Sequence, residues 1–116
     1  MARISPTQKA LKELRAAGWT VGIVEHWNPF AKIRQDLYGC IDLVCMLKGC
    51  PLLAVQVTSR SNLTARMTKS RAVAEMWVST GANFQVWGYG TTKTKGRKRV
   101  VRMDLSGEWI EIEEAS

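Results

Sequence analysis

The amino-acid sequence predicts an α/β domain in the order α-β-β-β-α-β, a mixed sheet flanked by helices, with a β-hairpin added at its C-terminal end. Three observations carry this prediction. Helical spacing marks residues near the N-terminus and again from about 63 to 80. Strict apolar alternation marks residues 19–27 and 40–47. Short β-prone runs follow the second helix at 83–90, 100–105 and 109–112. A chain of 116 residues is expected to form one domain, 1–116, large enough for its own core.

The first helix opens at SPTQ. Ser5 suits the N-cap, Pro6 the first helical position and Gln8 the N3 position of a capping box. Ala10, Leu11, Leu14 and Ala17 then form an apolar stripe that Gly18 ends. In WTVGIVEHW, read as one strand over 19–27, Trp19, Val21, Ile23, Glu25 and Trp27 share a row. A carboxylate among apolar side chains must sit at a rim, pair with a cation or bind a metal. His26, on the opposite row, is read as structural.

Residues 28–39 are expected to form an irregular connector. CIDLVCML and LLAVQVTSR are strands joined by the tight turn Lys48–Pro51, so the hairpin brings Asp42 at the start of one arm to Gln56 near the end of the other. Both are polar members of apolar rows. The second helix, Leu63 to Thr80, is expected to bury Ala65, Ala72, Val73, Met76 and Trp77. Arg66, Lys69 and Arg71 crowd its first half against the helix dipole, which suggests a nearby anion or carboxylate cluster, or simply a solvated basic face. Trp87 and Tyr89 share a row that could form part of a dimer surface, and WIEI is expected at the sheet edge.

Hydrophobic content of 46% with 23% charged residues argues against wholesale disorder. No apolar run reaches membrane-spanning length and the first residues lack a signal-peptide core, so no membrane partner and a cytoplasmic location are expected. Cys40, Cys45 and Cys50 lack zinc-ligand spacing and are expected to be reduced and mostly buried. Four of the ten acids lie in the last nine residues, so residues 1–107 hold 17 basic and 6 acidic side chains, a balance of +11. Such a surface favours a polyanion through long-range attraction and counterion release. Lys93, Lys95, Arg97, Lys98 and Arg99, in the run KTKGRKR, are the strongest candidates for phosphate contacts. No phosphate-binding glycine loop, Ser-His-Asp set or dinucleotide fingerprint is present.

A helix, three strands with Asp42 near the start of the second and Gln56-x-Thr58 on the third, then a helix, resembles the PD-(D/E)XK nuclease superfamily. Restriction endonucleases, archaeal Holliday junction resolvases and the VRR-NUC domain belong to it. The likeness covers Ser5 to Tyr89. Locally, RQDLYGCIDLVCM followed by LLAVQVTSRSN is similar to small resolvase-like proteins common in bacteriophages. The resemblance implies a restriction-endonuclease-like core, Mg²⁺ or Mn²⁺ as cofactor, DNA as substrate and a homodimer that cuts opposing strands.

By that resemblance Asp42 is the metal-binding aspartate, Gln56 takes the place of the family's glutamate, and Thr58 that of its lysine. The Val57 carbonyl would help hold the ion. Gln56 brings an amide oxygen without charge, which Glu25 or Asp36 could supply; some members of the superfamily carry Gln here. Thr58 cannot replace an ammonium group. Members of the superfamily can supply that lysine from the following helix, which makes Lys69 the first candidate, with Arg66 and Arg60 next. Arg34 joins these as a candidate for DNA contact. The alternative readings are a DNA-binding protein without activity on the same fold, or a purely structural role in which Asp42 caps a turn and Gln56 and Thr58 bond to neighbouring strands.

Overall fold

The computed structural model describes residues 5–90 and 100–112. Helix α1 spans Pro6–Ala16. Ser5 starts it: its hydroxyl accepts a hydrogen bond from the Gln8 amide at 3.2 Å, and Pro6 sits in the first turn, where a missing N–H is harmless. Gly18 ends it at φ +97°, a backbone conformation that a Cβ disfavours. Along the chain then come β1 (Thr20–Ile23), β2 (His26–Asn28), β3 (Ile33–Gln35), β4 (Leu43–Met46) and β5 (Leu53–Ser59). A 3₁₀ turn, Arg60–Asn62, leads into α2 (Leu63–Ser79), followed by β6 (Asn83–Tyr89), β7 (Val100–Leu105) and β8 (Trp109–Ile112).

Six of the strands form one mixed sheet in the spatial order β1-β4-β5-β6-β7-β8. Only β5 and β6 run parallel, as expected for two strands joined across a helix; their sheet neighbours pair antiparallel. One face is covered by α1, which packs Ala10 and Leu14 against Leu43, Cys45, Leu53 and Val55. The other is covered by α2, with Ala74 packed among Ala54, Phe84, Val86 and Leu105. With both faces covered, β5 is buried along most of its length, which explains its nearly continuous apolar run. The edge position expected for WIEI is occupied by β8. Among the described residues, no helix is long and apolar enough to cross a membrane.

Three expectations need correction. Residues 19–27 are not one strand: β1 stops at Ile23, and His26–Asn28 turns away to pair with Ile33–Gln35 as a separate two-stranded ribbon. The connector is therefore partly regular. Helix α2 buries only part of the expected face. Val73 and Trp77 pack inward as expected, together with Leu63, Met67 and Ala74, whereas Ala65 and Ala72 are exposed and Met76 is 73% exposed. Ser70 accounts for part of the difference, because it can be buried in the helix by donating its hydroxyl to the Arg66 carbonyl at 2.7 Å.

Trp87 and Tyr89 are core residues under α1 rather than a dimer surface. The Trp87 indole donates to Gln85 at 2.8 Å, and the Arg102 guanidinium lies 4.3 Å from its ring while pairing with Glu13 of α1. Arg71 is also accounted for structurally: it pairs with Glu75 at 2.7 Å and lies 3.8 Å from Glu108. Of the cysteines, Cys40 and Cys45 are buried and Cys50 is exposed, all as free thiols.

Candidate metal centre

The ribbon places two carboxylates. Its pairs are His26 with Gln35, Trp27 with Arg34 and Asn28 with Ile33. Glu25 and Asp36 are therefore the residues at its foot, one step beyond the last pair. The Asn28 side chain closes the tip, accepting from the Phe30 and Ala31 amides at 3.0 and 3.1 Å. After Asp36 the chain doubles back through Tyr38 (φ +54°) and Gly39 (φ +77°), with Leu37 and Ile41 exchanging backbone hydrogen bonds of 3.0 and 2.9 Å. This turn delivers Asp42. Carboxylate oxygens of Glu25, Asp36 and Asp42 all lie within 4.8 Å of one another, so the three can hold a metal ion.

Asp42 is only 4% exposed. Its Oδ2 accepts a hydrogen bond from the Val57 amide at 2.7 Å, which sets the Val57 peptide alongside the carboxylate. Burial pushes the Asp42 carboxyl up to about 8 from an ordinary value near 3.8. The Val57 amide pulls the other way, while Asp36, which shares a hydrogen bond with it, and Glu25 add to the rise. Below about pH 8 the metal-free cluster therefore retains a proton that an entering cation would displace.

Leu43 pairs with Val55, so one step further Asp42 stands opposite Gln56, as the hairpin spacing anticipates. Gln56 is 1% exposed, and its Oε1 has no hydrogen-bond partner. A buried amide oxygen left this way costs on the order of 1–3 kcal/mol, which a ligand would relieve. The donor set fits a hard divalent cation: three carboxylates and, opposite Asp42, one orphaned amide oxygen. The structural alternative holds in part, since Asp42 does take a backbone amide, but Gln56 finds no partner on a neighbouring strand. Thr58 is buried on the row of Gln56, opposite Gly88 in β6.

The expected cations divide into three groups. Lys69 is exposed on α2. Burial, Asp36 and Asp42 push the Cys40 thiol up to about 11, with Lys69 pulling the other way. Arg66 is half-buried one turn earlier, and the backbone of Arg34 pairs with that of Trp27 in the ribbon. Lys93, Lys95, Arg97, Lys98 and Arg99 lie outside the described residues.

Arg60 is seated by two glycines that the sequence reading passed over. A Cβ on Gly88 would lie 3.3 Å from both the Arg60 Cα and the Leu63 Cβ, and one on Gly90 only 2.5 Å from the Arg60 Cδ. The spacing Gly-x-Gly in a strand was the available signal, since it clears one face for a close approach. Gly88→Val is expected to destabilise the fold by about 1–3 kcal/mol in chemical denaturation, by forcing the start of α2 off β6. Unchanged stability would show that this approach is not tight.

An apolar groove lined by Tyr38, Leu52, Val73, Met76 and Trp77 among others is a separate feature. It carries none of the clustered carboxylates. Compared with protein-family models, curated proteins and solved structures, the chain matches none of them.

Proposed function

We propose that the protein is a metal-dependent DNA endonuclease of the PD-(D/E)XK type, resolvase-like and acting on branched or otherwise structured DNA. The observation that carries this reading is the convergence of Glu25, Asp36 and Asp42 opposite the unsatisfied amide oxygen of Gln56. The order of helix, three antiparallel sheet strands, helix and parallel strand supports it, with the ribbon as an insertion between the first and second sheet strands. So does the basic balance of residues 1–107. A homodimer in a host cytoplasm, phage-encoded, completes the proposal.

Asp42, Gln56 and the Val57 carbonyl would hold Mg²⁺ or Mn²⁺, with Glu25 and Asp36 supplying the charge that Gln56 lacks. When bound, such an ion stabilises developing negative charge and lowers the pKa of a water ligand. Thr58 can orient a water by hydrogen bonding but cannot neutralise a phosphate oxygen. Lys69 takes that part from α2, and Arg60 and Arg66 hold the DNA backbone. Lys69→Ala is expected to lower cleavage about a hundredfold while DNA binding is retained, because charge stabilisation of a transition state is lost rather than affinity. Wild-type rates in that variant would remove Lys69 from the site.

The test is incubation of labelled four-way junction, duplex and single-stranded DNA with Mg²⁺, Mn²⁺ or EDTA. Cleavage that needs metal supports the enzyme. Binding without cleavage under every metal condition favours the second reading, an inactive DNA-binding protein, for which the uncharged Thr58 is the specific observation.

A further inference from the structure

The β2–β3 ribbon projects apolar side chains that the fold does not use. Phe30 at its tip is 97% exposed, Trp27 is 57% exposed and Ile33 50% exposed. The tip is nevertheless built, since Asn28 holds the Phe30 and Ala31 amides. Residues 26–35 contain Lys32 and Arg34 but no carboxylate, although the foot of the ribbon carries Glu25 and Asp36. An exposed aromatic tip beside Lys32, on a chain of basic balance, matches an unstacked nucleobase beside backbone phosphates.

We infer that the ribbon is a base-engaging element, and that the preferred DNA carries unpaired or unstacked bases close to the phosphate at the carboxylate cluster. Phe30 and Trp27 stack on those bases; Lys32 accompanies the backbone. From Glu25 to Phe30 is five residues, at most about 16 Å in extended chain. That span is at most roughly five nucleotide steps of stacked duplex, and fewer where the strand is unstacked. Continuous duplex offers no base face to the ribbon, which deepens the proposed preference for branched DNA and rests on it. A second copy of the chain is the competing occupant, its α2 groove receiving Phe30. Lys32 and the basic balance of residues 1–107 favour DNA, because that groove is lined by uncharged residues.

The experiment is fluorescence anisotropy in EDTA, with a duplex and the same duplex carrying a bulge of unpaired adenines, one replaced by 2-aminopurine. Wild type, Trp27→Ala and Phe30→Ala are compared; both positions are exposed, and melting curves check folding. The bulged DNA is expected to bind roughly tenfold or more tightly than the duplex, each substitution removing about tenfold of that gain. Phe30→Ala should also abolish quenching of the 2-aminopurine. Equal losses on both DNAs, no loss, or a dimer that becomes monomeric by sedimentation with discrimination unchanged would overturn the inference. Because EDTA removes cleavage from the readout, an inactive protein with aromatic-dependent discrimination sinks only the nuclease reading. An active enzyme whose variants discriminate normally sinks only the ribbon.

Discussion

Replacing Asp42 with alanine is expected to abolish metal-dependent DNA cleavage. Losing an outer-shell partner of a metal site already costs about 10- to 100-fold, and Asp42 stands inside the carboxylate cluster, so a larger loss is expected. Alanine also leaves the Val57 amide without its 2.7 Å acceptor, so lost activity needs a control for folding. Asp42→Asn supplies it, because an amide oxygen can still accept from Val57 while the charge is gone. Both variants should be inactive in single-turnover assays while Asp42→Asn retains a cooperative melt. Cleavage within tenfold of wild type in Asp42→Asn would remove Asp42 from the chemistry.

The same residue makes stability depend on pH and on metal. The Asp42 carboxyl, raised to about 8 from an ordinary 3.8, keeps in the folded state a proton that the unfolded chain releases. Its stabilising contribution is fully present below the unfolded value, declines as pH rises, and is lost once pH passes the folded value. Metal-free wild type is therefore expected to lose stability between about pH 4 and pH 8, by up to a few kcal/mol. Asp42→Asn should lack that component of the slope and be the more stable protein at pH 8. Mg²⁺ or Mn²⁺ should restore wild type most strongly at the alkaline end and leave Asp42→Asn nearly unmoved. Thermal melts across this range with EDTA or metal read all four curves. Parallel pH profiles for the two proteins would mean that burial does not perturb Asp42.

Much of the scaffold can be read from the chain because short-range rules decide it. Ser5, Pro6 and Gly18 bracket α1, and the turn at Lys48–Pro51 sets a register in which Asp42 meets Gln56. Glu25 could be singled out as a carboxylate in an apolar row. What could not be read is how Asp36 reaches it. The three-residue strands of the ribbon are too short for a periodic signal, and the alternation of residues 19–27 runs unbroken through the point where the chain leaves the sheet. Alternation gives a side chain's parity but not what covers that face, which is why Trp87 and Tyr89 look available in sequence and are buried under α1. In α2 a buried Ser70 and an exposed Met76 invert the expected polarity, so the apolar residues mark no single face.

If the carboxylates and Gln56 form one divalent-cation site, Mn²⁺ titrated into metal-free protein at pH 7 binds saturably in calorimetry. Protons are released on binding, because the Asp42 carboxyl, raised to about 8, holds one beforehand. The released protons appear as a dependence of the measured heat on the ionisation enthalpy of the buffer. Asp42→Asn should bind weakly or not at all. Absence of saturable binding, or equal binding by Asp42→Asn, would contradict the site and the nuclease built on it.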